Sequence, residues 1–149
     1  MSEVRSLIKT FLAANAPSEK VFDLDGLFEE LQDIENDAMQ ALPDGPWVGL
    51  QFIPGDEVPI TIGSTNTQGK YREDGAVYIH VVDIAKLGVR DSILTRATTL
   101  RNLFRGREIG TMTIQSMTNV QFEAGAALRF EGGYMTGAFI LSYINDLDL

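Results

Sequence analysis

From Ala76 to Val82 the chain reads AVYIHVV, and this run constrains the fold more than any other. It is almost wholly β-branched or aromatic, and both alternating sets of side chains are largely apolar. A strand with that pattern belongs in the middle of a sheet that is covered on both faces. The only histidine, His80, sits inside it.

The flanking segments supply what could cover such a sheet. Val4, Leu7, Ile8, Phe11 and Leu12 repeat at helical spacing, with Ser2 as N-cap and Asn15 and Pro17 as the stop. A second helical stripe, Leu27, Leu31, Ile34, Ala38 and Leu42, predicts a helix over Gly26–Leu42. Pro43-Asp44-Gly45-Pro46 closes it as a turn. A third helix is predicted near Asp91–Arg105, where Ile93, Ala97, Leu100 and Phe104 share a stripe.

Strand signals fill most of the rest. Trp47–Ile53 alternates, Pro54-Gly55-Asp56 signals a turn, and Val58, Ile60 and Ile62 alternate again, which predicts a hairpin. Gly63–Lys70 is polar and reads as a loop, as does Asp83–Gly88. Three further strands are expected at Thr111–Ser116, Val120–Phe130 and Met135–Ile144, with a Gly132-Gly133 hairpin joining the last two. The tail Asn145–Leu149 is expected to fray. This order predicts an α+β fold: a mostly antiparallel sheet of about four to six strands with two or three helices packed on it. The 149 residues suit one domain.

Composition narrows the function. The chain has no cysteine, which removes disulfides, thiolate metal sites and thiol nucleophiles. No apolar run reaches the roughly 18 residues that span a bilayer, and the opening Met1-Ser-Glu-Val-Arg lacks the marks of a signal peptide, so a soluble intracellular protein is expected. A net charge of -9 argues against general nucleic-acid binding. That charge is segregated. Asp23 to Asp44 holds eight acids and no base, whereas Lys86 to Arg107 holds six bases against Asp91. Such polarity can steer one copy toward another.

Motifs for chemistry are sparse. His80 beside Tyr78 could in principle serve as a general base, but no partner motif accompanies it, and it reads as a hydrogen-bonded sheet histidine. No G-x-S-x-G elbow, S-x-x-K or P-loop occurs. Asp23-Leu-Asp25-Gly26 starts like a calcium loop but brings its glycine too early. No cofactor, metal or catalytic site is expected, and the chain reads as a non-enzyme.

A resemblance emerges from the order of the elements. Tyr71-Arg72-Glu73-Asp74-Gly75 looks like an R-x-x-G turn that leads into the strand Ala76–Val81. A Gly88 loop follows, then Ala97-Thr-Thr-Leu100-Arg-Asn-Leu103-Phe104, Gly106 and a glycine-interrupted final strand, Tyr134–Tyr143. This order resembles the tail terminator, or tail completion, proteins of long-tailed phages and phage-like particles, the group that includes the lambda-type minor tail protein.

The resemblance implies a subunit of a homohexameric ring at the tail–neck junction of a virion. The ring caps the tail tube, ends its polymerisation and offers a face to head-completion (neck) proteins. DNA passes through its lumen without sequence-specific binding. On that reading Glu29, Glu30, Asp33 and Asp37 are candidates to meet Arg90, Arg101 and Arg105 across the subunit interface. Thr65, Asn66, Lys70 and Lys86 are candidate loop contacts to the tube or neck. Arg72 and Gly75 are expected in a structural turn, with Arg72 paired to Glu73 or Asp74. Another head–tail connector is the alternative, and a small acidic enzyme or ligand-binding module centred on His80 and Tyr78 is a more distant one.

Overall fold

The computed structural model describes residues 2–24, 45–59, 70–84, 86–122 and 134–148. The expected helix over Gly26–Leu42, Ile60 and Ile62, most of the 63–70 loop and the Gly132-Gly133 turn lie outside the described residues, as do Glu29, Glu30, Asp33, Asp37, Thr65 and Asn66.

Helix α1 spans Ser2–Asn15 and is followed by the short strand β1, Val21–Asp23. Two long strands come next, β2 (Trp47–Pro59) and β3 (Lys70–Ile84). Helix α2, Val89–Phe104, leads to β4 (Glu108–Ile109), β5 (Met112–Met117), β6 (Gln121–Phe122) and the long β7 (Tyr134–Asp148). The architecture is α+β, with two described helices and a seven-stranded sheet ordered β1-β2-β3-β7-β5-β4, in which β6 also pairs with β7. The sheet is mixed and more extensive than expected: β1 runs parallel to β2, while the remaining pairs are antiparallel.

The β3 pattern is met. It lies between β2 and β7, and Val77, Ile79 and Val81 point into one core while His80 and Val82 are buried on the opposite face. The first core gathers Val4, Ile8 and Leu12 from α1, Val48, Leu50 and Phe52 from β2, and Val89, Ile93, Ala97, Leu100 and Phe104 from α2. The two helices touch through Phe11 and Phe104, whose rings are 4.9 Å apart. Buried Trp47, opposite Val82 in the ladder, lies on the second face and packs edge-on against Phe22.

Three local readings are corrected. Pro54-Gly55-Asp56 is not a turn: β2 runs through it with an irregularity between Pro54 and Glu57, and the Asp56 amide donates to Asp74 Oδ1 at 2.9 Å. A carboxylate thus replaces a ladder partner where the register shifts. Arg72 and Gly75 are not in a turn but inside β3, opposite Asp146 and Tyr143 of β7. The tail does not fray through residue 148: Asn145 pairs with Glu73 on one side and Met112 on the other and is fully buried.

Candidate functional site

Histidine is the natural place to look for chemistry, and the sheet decides its fate. His80 faces the side of β3 shared with Gln51 and Tyr78, because residues two apart on a strand point the same way. Its Nε2 lies 3.2 Å from Gln51 Oε1, and the Tyr78 ring stacks on it at 5.8 Å. The carbonyl-type acceptor places the proton on Nε2. Nδ1 is buried without a hydrogen-bond partner among the described residues. Burial lowers the imidazole pKa to about 4, so the ring is neutral near pH 7. A side chain with no exposed surface cannot take a proton from a substrate in this conformation.

A second polar cluster lies on the helix-covered side. Tyr143 donates its hydroxyl to Glu73 Oε1 at 3.2 Å within the core. Burial, followed by the Glu73 charge, pushes the phenol pKa up. Gly75 makes room for it: a Cβ there would stand 2.5 Å from Tyr143 Oη and 2.9 Å from the Ile53 carbonyl. The glycine therefore serves close approach rather than a turn.

The cations of α2 divide into those the fold uses and those it leaves at the surface. Arg96 is used. It grips Glu19 through Nε at 3.0 Å and Nη2 at 2.7 Å, and donates to the Val82 carbonyl at 3.3 Å and the Trp47 carbonyl at 3.4 Å. One guanidinium thereby joins α2, the α1–β1 connection and the ends of two strands. Arg101 donates to the Thr118 carbonyl at 2.9 Å, which ties α2 to the segment between β5 and β6. Arg90 is exposed but lies over the Phe122 ring at 4.6 Å. Arg105 is exposed just beyond the helix. The three expected interface cations thus differ: Arg101 is engaged within the chain, while Arg90 and Arg105 remain presented to solvent.

At the end of β3 the chain turns through Lys86 and Leu87, both exposed, and Gly88, whose φ of 81° suits the turn before α2. Leu87 stands fully clear of the protein at 104% relative exposure. Leu94 of α2 and Ile53 of β2 are the other exposed large hydrophobics among the described residues. Leu87 lies outside every periodic stripe of the sequence, and an isolated leucine between Lys86 and Gly88 is its only signal there.

At the opposite end of β3, strands β2, β3 and β7 continue as an arm whose exposed acids are Asp56, Glu57, Asp74 and Asp146. Arg72 donates to both Asp146 oxygens, at 2.8 and 3.3 Å, and not to Glu73 or Asp74 as expected. That hydrogen bond holds the Asp146 carboxyl below the usual carboxylate range. Lys70 begins β3 opposite Asp148, in strand rather than loop backbone.

Among the described residues no three His, Cys, Asp or Glu side chains gather to hold a metal ion, and no helix is long and apolar enough to cross a membrane. No protein-family model matches the chain, and no curated protein matches it significantly. One solved structure is similar over 95% of this chain and 94% of that chain, with a TM-score of 0.54 and 17% identity. At that identity the likeness concerns the fold alone.

Proposed function

We propose that this chain is a structural ring subunit of the tail-terminator kind rather than an enzyme. It would cap a phage-type tail tube, end tube growth and present the outer face of the ring to a neck protein, with DNA passing through the lumen. Its place would be the tail–neck junction of a virion assembled in the host cytoplasm, and its ring a homohexamer.

The observation that carries this reading is the 15-rung pairing of β3 with β7. It runs about 45 Å at strand rise and joins two exposed ends of different chemistry. One end offers an apolar knob with cations beside it, Lys86, Leu87 and Arg90; the other offers an acidic arm. A subunit that must bind different neighbours at its different surfaces needs such asymmetry. The resemblance in element order supports the same reading, and the α+β architecture is compatible with it.

The test is assembly. Native mass spectrometry and electron microscopy at high protein concentration should reveal closed rings, alone or on tube ends, and substoichiometric protein should stop growth of purified tail tubes. A chain that stays monomeric at every concentration and leaves tube growth unchanged would remove this function. Binding to the portal-proximal neck without binding to tubes would instead assign the chain to another connector.

A further inference from the structure

We propose that the face carrying Lys86, Leu87 and Arg90 docks on the acidic β2–β3–β7 arm of a second copy of this chain. This rests on the ring reading above and names the two surfaces that would meet.

Exposed apolar residues flank both surfaces. Leu87 and Leu94 belong to the turn and helix at one end of β3, and Ile53 stands near mid-strand opposite Ala76, on the sheet face that Asp74 shares. An apolar centre with a charged rim is the anatomy of a protein interface. At the first end the rim is cationic. Lys86 is exposed, and Arg90 is exposed yet held in place over Phe122 at 4.6 Å. Two acids lie nearby in sequence: Asp83, which is buried with its Oδ1 accepting from the Ile84 amide at 2.7 Å, and exposed Asp91.

The arm carries the opposite sign. Its strands hold Asp56, Glu57, Glu73, Asp74, Asp146 and Asp148 against Lys70 and Arg72. Arg72 is already committed to Asp146, so exposed Asp74 on one face of the arm and exposed Glu57, opposite Glu73, on the other keep it negative, with exposed Asp56 at the irregularity between them.

The occupant follows from where the two patches sit. They lie at opposite ends of one continuous strand pair and cannot meet within a single copy. Each copy offers both halves of a complementary pair, so the head of one meets the arm of the next. That contact is heterologous, and repetition closes into a ring when the rotation permits.

A charge exchange tests this on the full chain. Lys86→Glu and Glu57→Lys alter exposed residues, so both variants should keep the wild-type melting temperature. Each alone places like charges in contact and should self-associate at least tenfold more weakly in sedimentation or native mass spectrometry. An equimolar mixture restores opposite charges at every junction, because the acidic head meets the basic arm and the unaltered head meets the unaltered arm. It should recover assembly with the two chains alternating. Leu87→Ser should weaken association with no rescue by either charge variant.

If wild-type rings form and the single variants assemble equally well, the docking surfaces named here are wrong while the ring reading stands. If the variants assemble normally but no longer bind tubes, this face belongs to the tube contact and the proposal is overturned. A wild-type chain that never associates overturns both.

Discussion

His80 makes acid stability a sharp test of the buried second face. It is the only histidine in the chain, and its pKa is lowered to about 4 from 6.5 by burial. Between those two values the unfolded chain binds a proton that the folded chain does not. Stability is therefore fully present above pH 6.5 and falls as the pH drops toward 4. Relative to pH 7.5 the loss from this one group is about 2 kcal/mol at pH 5 and about 3 kcal/mol at pH 4. Carboxylates also titrate near the lower limit, so the measurement must be a difference. The comparison protein is His80→Gln, which cannot titrate and retains an amide that can face Gln51. Urea unfolding of both proteins at pH 7.5 and pH 5, followed through the fluorescence of the single, buried Trp47, supplies the numbers. The wild type should lose about 2 kcal/mol more than His80→Gln over that interval, whatever the substitution costs at pH 7.5. A difference below about 0.5 kcal/mol would mean that His80 binds its proton equally well in both states, and the case for a dry, covered second face would fail.

Three further outcomes follow from the packing. Gly75→Ala should cost about 1–3 kcal/mol in denaturant unfolding, because its Cβ meets Tyr143; pairing it with Tyr143→Phe, which removes the hydroxyl 2.5 Å away, should give a loss smaller than the sum of the two single losses. Arg96→Met should lower stability by about 3 kcal/mol, since it leaves the mostly buried Glu19 without its bidentate partner, and Arg96→Lys should recover little because an ammonium cannot reproduce the fork; thermal unfolding reads both. Phe104→Ala, at the contact between the two helices, should cost about 3–5 kcal/mol by the same assay, and a loss under 1 kcal/mol would show that the contact is not a core contact.

How much of the molecule could be read beforehand depends on how local its cause is. The α1 stripe and the α2 stripe are properties of neighbouring turns, and both helices form with Val4, Ile8, Leu12, Ile93, Ala97, Leu100 and Phe104 buried and Leu7 and Phe11 partly buried against them. The central place of β3 is also local information, because only a doubly covered strand tolerates AVYIHVV. The errors arise where a distant partner decides. Pro54-Gly55-Asp56 carries the composition of a turn, yet Asp74 supplies the acceptor that lets the strand pass through an irregularity. Gly75 follows two acids and looks like a turn glycine, yet Tyr143, 68 positions later, is what needs the space. Asn145 looks like tail because it is polar, but Thr111 donates to its side chain at 2.6 Å and two strands bracket it. Of the proposed surface, the basic half, within Lys86–Arg107, was visible in the sequence, whereas the acidic half was expected in Asp23–Asp44 and not on the strands that carry Asp56, Glu57 and Asp74. The full exposure of Leu87 and the engagement of Arg96 and Arg101 were not visible there, since both depend on which elements become neighbours.

The position of β7 also bears on when this protein can fold. It is the last described element in chain order, yet it occupies the middle of the sheet between β3 and β5. Its pairing with β3 joins residues as far apart as Lys70 and Asp148. Until β7 has emerged from the ribosome, β3 lacks one flank and β5 and β6 lack the strand along which both are aligned. Such non-local pairing is slow to form, and it leaves strand edges open in the meantime. Completion of the sheet is thus deferred until β7 has been made, and a nascent chain short of residue 134 exposes the unpaired edges of β3 and β5.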